Sequence, residues 1–208
     1  MVGEGVLMEC LAEPSVSEVL MLNRRPYPAT HPKLKELILT DFMDLARYSE
    51  QLRGYDACFY CAGVGSRGMT EAEYSHITYD TTLSVAHTLV RLNKSMVFCH
   101  VSGAMTDGSE KGRIMWARVK GKAENALLKV GFREVYNFRP GFMKPTPGQR
   151  NVKSYYGLIA WLYPILRVLL PNQVSTLQGV ARAMINSVRQ GYPKSVLEIR
   201  DINALAKA

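Results

Sequence analysis

A doubly wound parallel sheet covered by helices is the fold class this sequence predicts, and three observations predict it. Short apolar β runs alternate with helix-patterned stretches of ten or more residues, an alternation that makes the strands parallel and the crossovers helical. Two of the runs stop on small residues, Cys61-Ala62-Gly63 and Val101-Ser102-Gly103. The 208 residues suffice for one domain, 1–208, with a substantial core, and no repeat, linker or low-complexity stretch divides them. Right-handed crossovers and the doubly wound order are then the default.

Taken in order, residues 1–13 are already helical in pattern, with Val6, Leu7, Cys10 and Leu11 on one stripe. A helix with no strand ahead of it is odd in such a fold. Residues 17–26 form a short β run ending in the basic turn Asn23-Arg24-Arg25-Pro26, and 34–40 form a second that leads to Asp41. A helix over about 43–52 precedes a third β run at 56–63. A long helix over about 70–93 carries Tyr79 and Asp80 midway. The strand at 95–101 delivers Ser102, a polar loop follows, and from about 114 a helix sets Trp116, Lys120 and Lys122 among apolar residues. Residues 134–141 form another strand.

Past Arg139 the character changes. Pro140, Pro145 and Pro147 break the chain, and a variable substrate or lid region is expected over about 142–175. Its most apolar run, 155–170, has one internal Pro and falls short of the roughly 20 residues a membrane span needs. Three roles compete for it: packing on the core, covering a hydrophobic substrate pocket, or touching a membrane surface. A surface helix should carry a basic face, and only Arg167 is basic here, so core or lid is favoured. An amphipathic helix over 174–189, a short strand at 195–199 and a closing helix over 201–208 complete the chain.

Composition narrows the partners. Lys and Arg number 26 against 18 Asp and Glu, a net charge of +8, but the excess is thinly spread. Nucleic-acid binding needs the charge gathered on one face, and no such block appears. An anionic small molecule accounts for the local pair Arg24-Arg25. Cys58 and Cys61 resemble a redox C-x-x-C, yet three residues apart in a strand they face opposite sides. They also lack the helix N-terminus that lowers a thiol's pKa. With Cys10 and Cys99 they read as reduced core thiols, which implies a reducing compartment, the cytoplasm. The first apolar stretch is short and carries Glu4 and Glu9, unlike a secretory leader. No metal site is predicted.

Six features stand in a telling order: Met1-Val2-Gly3, Asn23-Arg24-Arg25, Asp41, Cys61-Ala62-Gly63, Ser102 with Lys120, and Arg139-Pro140-Gly141. Together, over nearly the whole chain, they resemble the atypical short-chain dehydrogenase/reductases of NAD-dependent epimerase/dehydratase type, NAD(P)-binding Rossmann proteins. The resemblance makes Gly3 the last glycine of a Gly-x-x-Gly-x-x-Gly phosphate turn. It implies that the first strand and two glycines lie roughly ten residues upstream, so that the 208-residue form is truncated and folds and binds poorly. At the end of the next strand an acid would hold the ribose 2′-hydroxyl of NAD, whereas Arg accommodates the 2′-phosphate of NADP. Asn23, Arg24 and Arg25 therefore favour NADP, with NAD as the alternative. By the same resemblance Asp41 contacts the adenine amino group. Cys61, Ala62 and Gly63 let backbone approach the dinucleotide, and Pro140 and Gly141 line the nicotinamide end.

Catalysis follows the family only in part. There a Tyr moves the proton, a Lys four residues on lowers its pKa and holds the nicotinamide ribose, and a Ser orients the carbonyl. Ser102 and Lys120 match; Trp116 occupies the tyrosine's place, and an indole N–H does not ionise in the working range. The family's asparagine would fall near Asp80. Tyr155 or Tyr156 could supply a displaced donor, and His100, on the strand face of Ser102, reads as a core histidine. Two functions survive: an NADP-preferring oxidoreductase or isomerase acting on a small, hydrophobic molecule, or a catalytically silent dinucleotide-binding regulatory or scaffold protein.

Overall fold

The computed structural model describes residues 1–150, 152, 162–166, 169, 170 and 172–208. Helix α1 (Val2–Ala12) leads to the parallel pair β1 (Val19–Asn23) and β2 (Leu34–Ile38). A 3₁₀ turn, Phe42–Tyr48, connects to β3 (Ala57–Tyr60). Then come α2 (Glu71–Ser75), a π-helical turn His76–Asp80 and α3 (Thr81–Leu92), stacked without a break. Strand β4 (Val97–Val101), helix α4 (Met115–Leu127), strand β5 (Glu134–Phe138) and the short β6 (Phe142–Lys144) follow. The chain closes with β7 (Val174–Thr176), α5 (Leu177–Gln190), β8 (Val196–Leu197) and α6 (Ile199–Leu205).

Every strand pairing is parallel. One sheet has the order β3-β4-β5-β8; β1-β2 and β6-β7 form separate pairs. Among the described residues no strand lies between β1 and β3, so the expected central position is empty and the two half-sheets face each other across a gap.

Strand parity explains the two cores. Val97 and Cys99 of β4, with Tyr136 and Phe138 of β5, pack against α1, α5 and α6. Phe98 and Val135 point the other way, on to Leu45, Leu52, Val85, Leu89 and Leu127. A strand buried on both faces reads as an unbroken apolar run, and Val97–His100 is buried throughout. Cys58 and Cys61 divide between the two cores, as their spacing predicts.

Local chemistry sets the element ends. Thr70 and Glu73 form a reciprocal capping box at α2, which satisfies two amides that the first turn leaves open. Thr176 accepts from Gly179 N at 2.9 Å, so α5 starts at Leu177 and not at 174, where the chain is still paired with β6. The closing helix, in contrast, starts earlier than expected, at Ile199, because Glu198 and Asp201 cap it. The helix expected over 43–52 is only the 3₁₀ turn: Leu45 is its one buried side chain, too little to hold a longer amphipathic face on the core. The apolar run at 155–170 falls largely outside the described residues; within it 162–166 are helical. Among the described residues no helix is long and apolar enough to cross a membrane.

Candidate functional site

The carboxyl ends of β3, β4 and β5 converge on one edge of the larger sheet. Ser102 N donates to Phe138 O at 2.8 Å, which carries the ladder one residue past β4 and holds Ser102 beside the end of β5. The Ser102 hydroxyl is buried, 3.0 Å from Thr106 Oγ1. Thr106 gives its own proton to Gly103 O at 2.7 Å, so Ser102 is the donor of the pair. Lys120 Nζ donates to the carbonyl of Ser102 at 2.9 Å. Burial lowers the Lys120 pKa and the Glu124 carboxylate, one helical turn on, opposes it. Trp116 sits half-buried in the first turn of α4, one turn ahead of Lys120.

The loop between Ser102 and α4 is built around Asp107. Its carboxylate accepts from Ser109 Oγ at 2.6 Å, Ser109 N at 3.0 Å and Gly112 N at 2.6 Å. These bonds, the Ser109 hydroxyl foremost, lower its pKa. The Asp107 carbonyl lies against Gly121, where a Cβ would collide with it. Only a glycine lets α4 and the loop come this close. Met105, at the loop's tip, is exposed and adopts a positive φ of 65°.

The Arg139 side chain turns inward, away from solvent. Its Nε and Nη2 bind the buried Glu124 at 3.0 and 2.6 Å, and Nη1 reaches Glu198 at 3.0 Å, tying β5 to α4 and to the cap of α6. A charge as buried as Glu124 needs such a partner. Pro140 accepts from Ala104 N at 3.1 Å. Gly141 packs on the Gln173 carbonyl and Ile199, which leaves no room for a side chain.

The other predicted residues gather elsewhere on the same edge. A cavity of about 1300 Å³ runs between β1 and β3, and Gly3, Asn23, Arg24, Arg25, Cys61 and Ala62 line it. A Cβ on Gly3 would sit 3.4 Å from that of Cys61. Arg24 and Arg25 are exposed. Asn23 Nδ2 donates to Glu36 at 2.9 Å, and Glu36 also accepts from Tyr27 N at 2.8 Å, which folds the basic turn back on β2. Asp41, Gly63, Ser102, Lys120, Pro140 and Gly141 do not line the cavity. Asp41 is exposed and caps the 3₁₀ turn by accepting from Met43 N at 2.8 Å. Above Gly63 a Cβ would meet nothing within 4 Å.

His100 is buried, with Nδ1 2.9 Å from Asn137 Oδ1, and burial pulls its pKa to about 4. It is a neutral core residue, as its strand position suggests. Burial pushes the thiols of Cys10, Cys61 and Cys99 up to about 12 and raises that of Cys58, so none is a thiolate at neutral pH. Asp80 ends the π-helical turn, exposed, 3.4 Å from His76 Nδ1. Tyr155 and Tyr156 lie outside the described residues. Sequence reasoning overlooked Thr106, Asp107 and Glu124. The available signals were the four-residue spacings Ser102 to Thr106 and Lys120 to Glu124, each too common to single out.

No protein-family model and no curated protein matches the chain. Solved structures do. MoeE5 in complex with UDP-glucuronic acid and NAD is 17% identical with a TM-score of 0.65, over 99% of this chain and 77% of that one. A dTDP-glucose 4,6-dehydratase from Streptomyces venezuelae with NAD bound is 16% identical with a TM-score of 0.66, over 99% and 76%. A short-chain dehydrogenase from Burkholderia cenocepacia in complex with NADP is 16% identical with a TM-score of 0.65, over 100% and 88%. The alignments take in 99–100% of this chain and 76–88% of these neighbours' chains.

Proposed function

We propose that this chain, with the Rossmann fold of the atypical short-chain dehydrogenase/reductases, binds a nicotinamide dinucleotide, prefers NADP, and belongs to the oxidoreductase class. The observation that carries the reading is the convergence of Gly3, Arg24, Arg25, Cys61 and Ala62 on one cavity. It lies where strand order turns from β1-β2 to β3-β4, the place where doubly wound sheets bind ligands.

The residues fit the group. Backbone is free of bulk at Gly3, Ala62 and Gly63, and the space above Gly63 is open. Arg24 and Arg25 offer two exposed cations to a 2′-phosphate, while Glu36, the acid that reaches this turn, is already engaged by Asn23 and Tyr27. The dinucleotide, when bound, supplies a hydride. Lys120 offers an ammonium to a ribose hydroxyl, and Ser102 offers a hydroxyl that must leave Thr106 to orient a carbonyl. The solved neighbours carry NAD in two of these cases and NADP in the third, which supports a dinucleotide without choosing between them. The apolar run at 155–170 favours a small hydrophobic substrate, and four free cysteines fit a cytoplasmic protein.

Trp116 favours a second reading, in which the dinucleotide is held without turnover and its occupancy regulates a partner. Titration of NADPH and NADH, followed by nicotinamide fluorescence, tests the binding reading shared by both. NADPH is expected to bind more tightly, with Arg24→Asp reversing the order. An unchanged ratio in that variant overturns the NADP assignment, and no binding of either nucleotide overturns the reading itself.

A further inference from the structure

The positive charge, thin per residue, is one-sided along the chain. Residues 135–197 hold eight Lys and Arg and not one Asp or Glu, so the whole net charge of +8 arises there and the remainder is neutral. Three of the eight are engaged inside the fold: Arg139 by Glu124 and Glu198, Arg182 by Glu9, and Lys194 by Asp201. The same segment contains the apolar run 155–170.

The described part of that run does not pack on the core. Ile165 and Leu169, four residues apart in helical backbone and so on one face, are 56% and 69% exposed, and neither belongs to either core. Phe142, at the start of β6, is 58% exposed. Apart from Met105, these three are the most exposed large apolar side chains among the described residues. Backbone bonds hold them near one another: Leu170 N donates to Leu166 O at 2.7 Å, Gln173 N to Leu170 O at 2.9 Å, and Phe142 N to Gln173 O at 3.0 Å. Leu170, also exposed, completes the surface. Contiguous apolar surface of this kind marks a site of interaction.

Cations stand at its margin. Lys144, two residues from Phe142 and on the same face of β6, lies over the Tyr163 ring at 5.5 Å. Arg200 Nε donates to the Asn172 side chain at 2.7 Å, two residues past Leu170. The acids of α6 and its cap, Asp201 and Glu198, are already paired with Lys194 and Arg139. The run itself carries only Arg167; β6 and α6 supply the basic margin that a membrane-surface helix would otherwise carry on its own polar face.

We propose that Phe142, Ile165, Leu169 and Leu170, rimmed by Lys144 and Arg200, dock the protein reversibly on a membrane leaflet that bears anionic lipid. An apolar centre with cations at its margin matches the order of acyl chains and headgroups in a leaflet. A second copy fits less well, since a self-complementary contact sets basic rim against basic rim. The proposal is independent of dinucleotide binding, because none of these six residues lines the cavity between β1 and β3.

Co-sedimentation of the full chain, without nucleotide, tests it. Vesicles of phosphatidylcholine with about 30 mol% phosphatidylserine are expected to retain about tenfold more protein than phosphatidylcholine alone. Raising the salt from about 0.1 to about 0.5 M is expected to lower that retention about threefold, because exposed charges are then screened. Joint Ile165→Glu and Leu169→Glu substitution is expected to cut retention about tenfold, and Lys144→Glu about threefold. Neither change should move the thermal midpoint; if the double variant lowers it, Phe142→Gln, on a different element, carries the same expectation. Equal retention by the two kinds of vesicle overturns the proposal. Undiminished retention of the apolar-patch variants overturns it as well, since charge alone then holds the protein. A native dimer that ignores vesicles and that the double variant dissociates in light scattering gives the surface to a second copy, and the proposal fails.

Discussion

Trp116 stands one helical turn ahead of Lys120, where proton transfer through this site would call for a group that ionises. An indole can only donate a hydrogen bond. Trp116→Tyr is therefore expected to create or raise NADPH-dependent reduction of carbonyl compounds, and Trp116→Phe to change little. Loss of an existing activity in the Phe variant would give the indole a role of its own. At His100 the prediction concerns pH. Its folded pKa of about 4 lies below its ordinary 6.5, so between those values the unfolded chain binds more protons and stability rises with pH. This contribution, on the order of 3 kcal/mol, is complete above pH 6.5 and is lost as pH falls toward 4. Asn137 hydrogen-bonds its ring, the Tyr60 ring packs against it with centroids 6.0 Å apart, and the charges of Lys120 and Glu124 act on it. Thermal midpoints from pH 7 to 4 are expected to fall more steeply in the native chain than in His100→Gln; parallel curves would refute it. His100 was legible as a core residue from its place in the strand, on the face of Ser102 but two residues behind it. The burial that sets its pKa was not.

Helix α4 and the loop that precedes it behave as one element. The loop closes on Asp107, and the helix meets it at Gly121. A methyl group added by Gly121→Ala would press on the Asp107 carbonyl, and overpacking of this kind costs about 1–3 kcal/mol. The same shift moves Lys120 away from Ser102 O, so weaker dinucleotide binding is expected along with a lower unfolding midpoint in urea. Arg139 holds the same face of α4 through Glu124, three residues beyond Gly121. Arg139→Met keeps most of the side chain's bulk but strands Glu124, which is 1% exposed. Removing one partner of a buried pair costs about 3–5 kcal/mol, and the variant is expected to lose that much in urea unfolding. A loss below 1 kcal/mol would mean that Glu124 finds water or another cation. The strand and helix sequence of this half of the chain follows from periodicity. The Arg139 clamp does not, because its partners Glu124 and Glu198 lie 15 and 59 residues away.

At the scale of the whole molecule, two half-sheets share two cores but no strand. A ligand at the carboxyl mouth, as proposed, would touch both halves, since Arg24 and Arg25 line the cavity on one side and Cys61 and Ala62 on the other. NADPH at a hundred times its dissociation constant adds about 2.7 kcal/mol. For a chain of this length that raises the thermal midpoint by about 5–10 °C, and the gain is expected to vanish in Arg24→Asp at the same concentration. An undiminished gain in that variant would place the nucleotide elsewhere.

The sequence by itself determined the alternation of strand and helix, the parallel class of the sheet and the two-sided burial of its strands, because these depend on spacing within ten or so residues. It also placed Ser102 and the basic turn at strand ends, since a run of apolar residues shows where it stops, and Lys120 on the helix that follows. Only the tertiary structure decided which of those residues share a cavity. It turned Arg139 inward to Glu124, made Asp41 a cap, and opened a slot between β1 and β3 whose walls are 34 residues apart from Asn23 to Ala57. Pairings of that kind are settled by how helices pack across a sheet, and local pattern carries no record of which distant group will arrive.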